Sequence, residues 1–291
     1  MEFIKQLVPL LLTGSLAGLV LAVGLNTERG DLLYVFKRPR LLGRAVLAVM
    51  VIPPIIAGIL VWILPVSPPV KAGIMLMAVA PVPPLVPGKE LGIGGRKAYA
   101  YGVYVAMALL TIISVPLVFN VAARVFGRDD TVQVVTILAT VFTGVIIPLA
   151  IGLLVRRLAP ALAARIWRWV YRLSMLLVVV AFVPILAKVW APMMTLVGNG
   201  ALAGMALVAL ICLAGGHILG GPDRIDRATL ATAASVRHPG IAMALASANM
   251  TDPRVTAAVL LFMLVGLVVT LPYTMWVKRT TRAEAAAAGQ V

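Results

Sequence analysis

The sequence is poor in charged residues, histidine and cysteine. Charged side chains make up 12% of the 291 residues, about half of their share in a soluble domain. The single cysteine, Cys212, excludes a disulfide framework and a cysteine-rich metal site. Because a phosphate-cradling Gly-Lys-Ser/Thr loop and paired catalytic carboxylates are also missing, we expect no enzyme, no metal site, no cofactor and no ATP-driven step.

Long apolar segments dominate the chain, which is 62% hydrophobic with a mean hydropathy of +1.06. Most segments approach the ~20 residues that a bilayer requires, so the sequence predicts an all-α polytopic membrane protein with about nine transmembrane helices. The predicted spans are Leu7–Leu25, Ala45–Leu64, Lys71–Ala98, Tyr99–Val121, Thr131–Val155, Leu173–Trp190, Ala201–Gly220, Ala228–Met250 and Val255–Val277. We expect the first span to be retained, since it is longer than the apolar core of a signal peptide and lacks a small-residue cleavage site.

The net charge of +15 is concentrated on one side of the predicted spans, as in membrane proteins whose basic loops face the cytoplasm. Seventeen of the 25 Lys and Arg residues fall on one side of the predicted spans, six fall on the other, and Lys89 and Arg237 fall within spans. This asymmetry predicts an N-terminus outside, a C-terminus in the cytoplasm and no nucleic-acid partner. We expect one transmembrane domain over residues 1–282, a basic cytoplasmic loop Arg156–Arg172 and a disordered cytoplasmic tail over 283–291.

Two predicted spans contain helix-breaking prolines near their midpoints. The third carries the run Pro81–Glu90 and the eighth carries Arg237-His238-Pro239-Gly240. Such breaks survive in a membrane only where protein or a wet cavity surrounds them. Because the third and eighth spans run in opposite directions, the pattern predicts inverted repeats whose two discontinuous helices cross at a binding site.

Short helices should begin after each break, near Lys89 and Ile241, and direct free N–H groups and positive dipole ends into the crossing. An intramembrane arginine costs about 2.5–3.5 kcal/mol on insertion scales, which argues for a role of Arg237 in substrate handling. The alternative is a structural pair between Arg237 and Glu90. The candidate substrate-binding residues are Arg237, His238, Pro239, Gly240, Lys89, Glu90, Pro84 and Gly88.

Several motifs carry a resemblance to a known family. The segments Gly24–Asn26 and Phe36–Pro39 look like its early helix and its basic F-K-x-P turn. Ala80-Pro81 stands at its Pro-Gly-Gly-Thr-x-Ser-Asn break, and Thr229–Asn249 stands at its Glu-x-Gly-x-Gln-Asn-x-Gly motif and small-residue helix. Over nearly its whole length the chain therefore resembles the bile acid:sodium symporter family, as a bacterial member.

The resemblance implies interleaved core and panel subdomains, crossed broken helices, alternating access and a bacterial inner membrane. The chain also departs from the family's motifs at several positions. Aligned on Gly240, the family's sodium-coordinating Glu, Gln and Asn correspond to Ala233, Arg237 and His238. Its Thr, Ser and Asn after the first break fall on Pro84, Val86 and Pro87.

We therefore expect a secondary transporter for a small or amphipathic organic anion, with the lipid bilayer as its environment. Few oxygen-bearing side chains remain for sodium, so the coupling ion is open between sodium and a proton carried by His238 or Glu90. The alternatives are a sodium-coupled symporter that uses backbone carbonyls, and a membrane sensor or scaffold on the same fold.

Overall fold

The computed structural model describes residues 2–28, 30–92, 95–125 and 134–287, and the regular structure within these ranges is helical. The helices are α1 (Glu2–Asn26), α2 (Pro39–Ile63), α3 (Pro68–Val79), α4 (Val86–Gly92), α5 (Lys97–Val125), α6 (134–158), α7 (Pro160–Met194), α8 (Ala201–Leu219), α9 (Arg224–Ser235), α10 (Pro239–Asn249) and α11 (Arg254–Ala287). Helices α2 and α6 each contain a π-helical turn, Leu47–Val51 and Phe142–Ile146 respectively.

Length separates the helices into continuous and broken crossings. Six helices (α2, α5, α6, α7, α8 and α11) contain segments long and apolar enough to cross a membrane, and α1 has 25 residues. The 12 residues of α3 rise only about 18 Å, against a hydrocarbon core of about 30 Å. The pairs α3–α4 and α9–α10 therefore each make one crossing. In the described residues this gives nine crossings, and the predicted all-α polytopic fold is confirmed.

Helix ends differ from the sequence prediction at three places. Helix α2 begins at Pro39 and α7 at Pro160, so residues 160–172 are helical and the prediction of a loop there is wrong. Proline suits the first helical position, because the N–H that it lacks would have no partner there. Helix α11 continues to Ala287, although a disordered tail was predicted from residue 283. The alanine-rich sequence favours helix at this point, and residues 288–291 lie outside the described ranges.

The crossings form two packed groups. Helices α1, α6 and α7 pack against one another, while α3 and α8 pack against α11, and α8 packs against α9. Helices α1 and α6 meet at two glycines, Gly24 and Gly152. A Cβ atom added at Gly24 would lie 2.6 Å from the carbonyl oxygen of Leu149 and 2.9 Å from Cα of Gly152, so the backbones touch where neither helix has a side chain.

Polar contacts join the basic connections at one end of the helices. Arg96 donates hydrogen bonds to the Tyr34 hydroxyl (2.8 Å) and to a carboxylate oxygen of Asp223 (2.6 Å). Lys97 pairs with Glu28, and this hydrogen bond lowers the pKa of the Glu28 carboxyl. The connections after α1, before α5 and before α9 therefore share one end of the protein, as the charge asymmetry predicts.

Candidate transport site

The two breaks meet in the structure. The chain leaves helical geometry over residues 80–85 and again over 236–238, and the N–H of His238 donates to the carbonyl of Pro81 over 2.9 Å. Helix α3 packs against α10, and α4 packs against α9. The predicted crossing of two discontinuous helices is thus confirmed. The first unwound segment is shorter than the predicted Pro81–Gly88, since Gly88 lies in α4. The second was predicted at Pro239–Gly240 but lies just before these residues, which form the first turn of α10.

Prolines leave carbonyl oxygens near the crossing without helical partners. In α2, the carbonyl of Val49 would pair with residue 53 in an α-helix or residue 54 in a π-helix, and both are proline. In α3, the helical partner of the Met77 carbonyl would be the N–H of residue 81, also proline. Each oxygen must find another donor, because an unpaired carbonyl in a buried site is costly.

The guanidinium of Arg237 supplies these donors. Its Nη2 donates to the carbonyls of Val49 (2.8 Å) and Ala78 (2.5 Å). Its Nε donates to Met77 and its Nη1 to Ala234, both over 3.3 Å. Ala78 and Ala234 lie just before the two breaks, where helical N–H partners run out. Four backbone oxygens therefore surround one positive charge, and the residue is only 4% exposed.

Helix dipoles make this placement electrostatically favourable. Met77 and Ala78 belong to the last turn of α3, and Ala234 belongs to the last turn of α9, where the helix dipole places partial negative charge. A fixed cation at two helix C-termini stabilises both ends. Within the described residues, the hydrogen bonds of Arg237 go to backbone oxygens. The side chain of Glu90, the suggested partner, lies outside the described residues.

His238 starts the second short helix. Its Nδ1 accepts the N–H of Ile241 over 3.3 Å and so caps α10. Because Nδ1 accepts, the proton of the neutral ring lies on Nε2. A second proton would have to enter at Nδ1, where it would displace the cap. Protonation of His238 is thus linked by geometry to the first turn of α10.

A cavity of about 760 Å³ lies beside the crossing and is lined by α1, α5 and α6 together with the two breaks and α10. His238, Gly240 and Pro84 line it, so three of the predicted site residues share one cavity. Polar side chains that the sequence analysis did not select also line it: Thr13, Tyr104, Thr111, Thr140, Thr143 and Asn249. Their only sequence signal is a hydroxyl or amide within an otherwise apolar span.

Three of the other predicted residues line different spaces. Arg237 and Pro239 line an adjoining space of about 70 Å³. Gly88 faces a different cavity, at the far end of α4. The backbone of Lys89 and Glu90 belongs to α4, but their side chains fall outside the described residues. In the part of the chain that the structure describes, no cluster of three or more His, Cys, Asp or Glu side chains is placed to hold a metal ion.

Comparison with known proteins agrees with this architecture. A sequence model of the sodium bile acid symporter family matches residues 14–196, which takes in the first break and most of the helices that line the large cavity. No curated protein sequence matches the chain. The match covers more than half of the chain, and the crossed broken helices fit it. The chain therefore belongs to the sodium bile acid symporter family.

Proposed function

We propose that this protein is a sodium-independent secondary transporter for a small or amphipathic organic anion, in which the guanidinium of Arg237 takes the place of a coupling sodium ion. The observation that carries the proposal is the set of four backbone oxygens bound to that guanidinium. Oxygen atoms are the ligands that hard cations require, and here a side chain already occupies them. A sodium ion about 4 Å from the guanidinium would be repelled by about 4 kcal/mol at an effective dielectric of about 20.

The large cavity supports an amphipathic anion as the substrate. Its volume of about 760 Å³ falls in the usual range for small-molecule sites. Its wall combines apolar side chains with hydroxyl and amide groups and carries no lysine or arginine among the described lining residues. Gly240, in the first turn of α10, brings the positive end of a helix dipole to the wall. An apolar body with one anionic group matches these surfaces.

The position of the cavity supports alternating access. Residues of α1, α5 and α6 line it together with residues of the crossing and α10. Movement of one helix group against the other would change which end of the cavity is open. The clustering of basic connections at one end supports a cytoplasmic C-terminus and an external N-terminus in the plasma membrane.

His238 supports a proton as the alternative coupling ion. Histidine is the side chain that most readily changes charge near neutral pH, and His238 lines the cavity. Its protonation would disturb the start of α10 through the lost cap. A proton taken up with the substrate would then alter the wall that the substrate touches.

The test has two steps, a ligand screen and then a measurement of substrate uptake. Carboxylates, bile-acid-like steroids and sulfonates are screened by thermal shift on the purified protein. Uptake of the best ligand is then measured in proteoliposomes with sodium replaced by potassium or choline at constant pH. We expect uptake to persist without sodium. A strict sodium requirement would refute the role assigned to Arg237, and ligand binding without any flux would favour a sensor.

A further inference from the structure

A second cavity, of about 340 Å³, opens at the arginine-rich end of the protein. It lies between the C-terminal part of α1, helix α4, the start of α5 and the first turns of α7. Its polar and aromatic walls come from Tyr101, Trp167, Arg168, Tyr171 and Arg172. None of these residues lines the cavity beside the crossing.

Two guanidinium groups border the cavity on α7. Arg168 and Arg172 are one helical turn apart and exposed, and within the described residues neither pairs with a carboxylate. Each guanidinium lies near an indole ring: Arg168 lies 5.4 Å from the ring centre of Trp167, and Arg172 lies 5.8 Å from that of Trp169. Two guanidinium groups one helical turn apart can bind one tetrahedral anion.

Tyr101 adds a buried hydroxyl to the cavity wall. The residue is 2% exposed, and its oxygen accepts a hydrogen bond from Nδ2 of Asn26 over 2.8 Å. Because the hydroxyl oxygen already accepts, its own proton remains to be donated to a bound anion. Opposite it, the Tyr171 ring packs onto Gly88, where a larger residue would collide with the ring.

Exposed apolar residues on α7 indicate the boundary between the lipid headgroups and the acyl chains. Within about one turn of Arg172, Leu173 and Leu176 are both 58% exposed, and Trp169 is 69% exposed. Exposed leucines on a membrane helix face acyl chains, and tryptophan marks the interface. The cavity mouth thus lies at the level of the lipid headgroups, with acyl-chain surface continuing from it.

We propose that this cavity binds the phosphate of an anionic phospholipid from the leaflet that borders the arginine-rich end. Arg168 and Arg172 bind the phosphate oxygens, the Tyr101 hydroxyl donates to the headgroup, and the acyl chains lie along Leu173 and Leu176. A zwitterionic lipid keeps a positive group beside the two arginines and binds more weakly. Free phosphate lacks the apolar contacts. A lipid held here bridges α7 to α4, the short helix that follows the first break.

Native mass spectrometry of the purified protein in detergent tests this proposal. The delipidated protein is titrated with dioleoyl phosphatidylglycerol, with dioleoyl phosphatidylcholine, and with the former plus millimolar inorganic phosphate. We expect retention of phosphatidylglycerol over phosphatidylcholine. We also expect the affinity for phosphatidylglycerol to fall about fivefold in Arg168→Gln and about thirtyfold in the double variant with Arg172→Gln.

Two further variants separate the cavity from general surface charge. Arg165→Gln removes an exposed charge from the same helix outside the cavity, and it should lower the affinity less than either cavity arginine. Tyr101→Phe keeps the packing and should weaken binding without changing the thermal midpoint by more than a few degrees. Equal losses in Arg165→Gln and Arg168→Gln would overturn the proposal, as would equal retention of both lipids. Complete displacement by inorganic phosphate would overturn the assignment to a lipid.

Discussion

Replacement of Arg237 by alanine tests whether the guanidinium is a fixed cation at the crossing. The two short hydrogen bonds, at 2.8 and 2.5 Å, are worth about 1.5–3 kcal/mol each from a charged donor, and the two at 3.3 Å about 0.5–1.5 kcal/mol each. Loss of all four costs about 4–9 kcal/mol. Release from the membrane insertion cost returns about 2.5–3.5 kcal/mol. The net destabilisation therefore lies between about 0.5 and 6.5 kcal/mol, and its middle value of about 3.5 kcal/mol corresponds to roughly 7–14 °C in the thermal midpoint.

The assay is thermal unfolding of the purified protein in detergent, in sodium chloride and in choline chloride. Arg237→Ala opens a space lined by four backbone oxygens, so sodium should raise its midpoint. The wild-type protein should respond equally to both salts. Arg237→Met, which fills the space without charge, should be destabilised and indifferent to sodium, and Arg237→Lys should be intermediate in stability. A wild-type midpoint that rises with sodium, or an Arg237→Ala midpoint equal to wild type, would refute the reasoning.

Three other predictions follow from the structure. A C-terminal green fluorescent protein fusion should fluoresce and a C-terminal alkaline phosphatase fusion should be inactive; the reverse pattern would place the arginine-rich end outside. His238→Asn keeps a capping acceptor for Ile241 but cannot take up a proton, so uptake should continue while its response to a pH gradient disappears; a retained response would exclude His238 as the proton carrier. Gly24→Ala should reduce the free energy of unfolding by about 1–3 kcal/mol or more, and so lower the thermal midpoint, because the added methyl group meets backbone in α6. Gly14→Ala, on the same helix with open space around it, should not, and equal effects would contradict the tight contact.

The crossing was predictable because its causes are local. A proline run near the middle of one apolar span and Pro239-Gly240 near the middle of another force breaks wherever the rest of the fold lies. The odd number of crossings between the two spans makes the two helices antiparallel. The helix boundaries were less predictable. Arginines that were predicted to lie in a loop belong to helix α7, because Pro160 starts a new helix immediately after α6.

The partners of Arg237 could be predicted only in part. An arginine near a break was evident from the sequence, which left its partner open between the substrate and Glu90. Val49 belongs to a different crossing, 188 residues away along the chain, and only the fold brings it to the guanidinium. The local signal was the Pro53-Pro54 pair, which indicates a carbonyl oxygen without a helical partner but does not indicate which donor binds it. The hydroxyls of the large cavity are likewise assembled from separate helices, which is why the sequence did not single them out.

If Arg237 takes the place of the coupling ion, as proposed above, the covalent attachment of its charge limits the work that the transporter can perform. A dissociable ion that enters with the substrate and leaves on the other side releases the energy of its gradient, whereas a charge on the chain returns with the chain in every cycle and releases none. An anion carried alone across a membrane that is 100 mV negative inside is driven outward by about 2.3 kcal/mol per charge, equivalent to about a fiftyfold concentration ratio. At equal concentrations such a carrier exports its substrate, and import requires a proton, a counter-transported anion or an inward concentration ratio above that value.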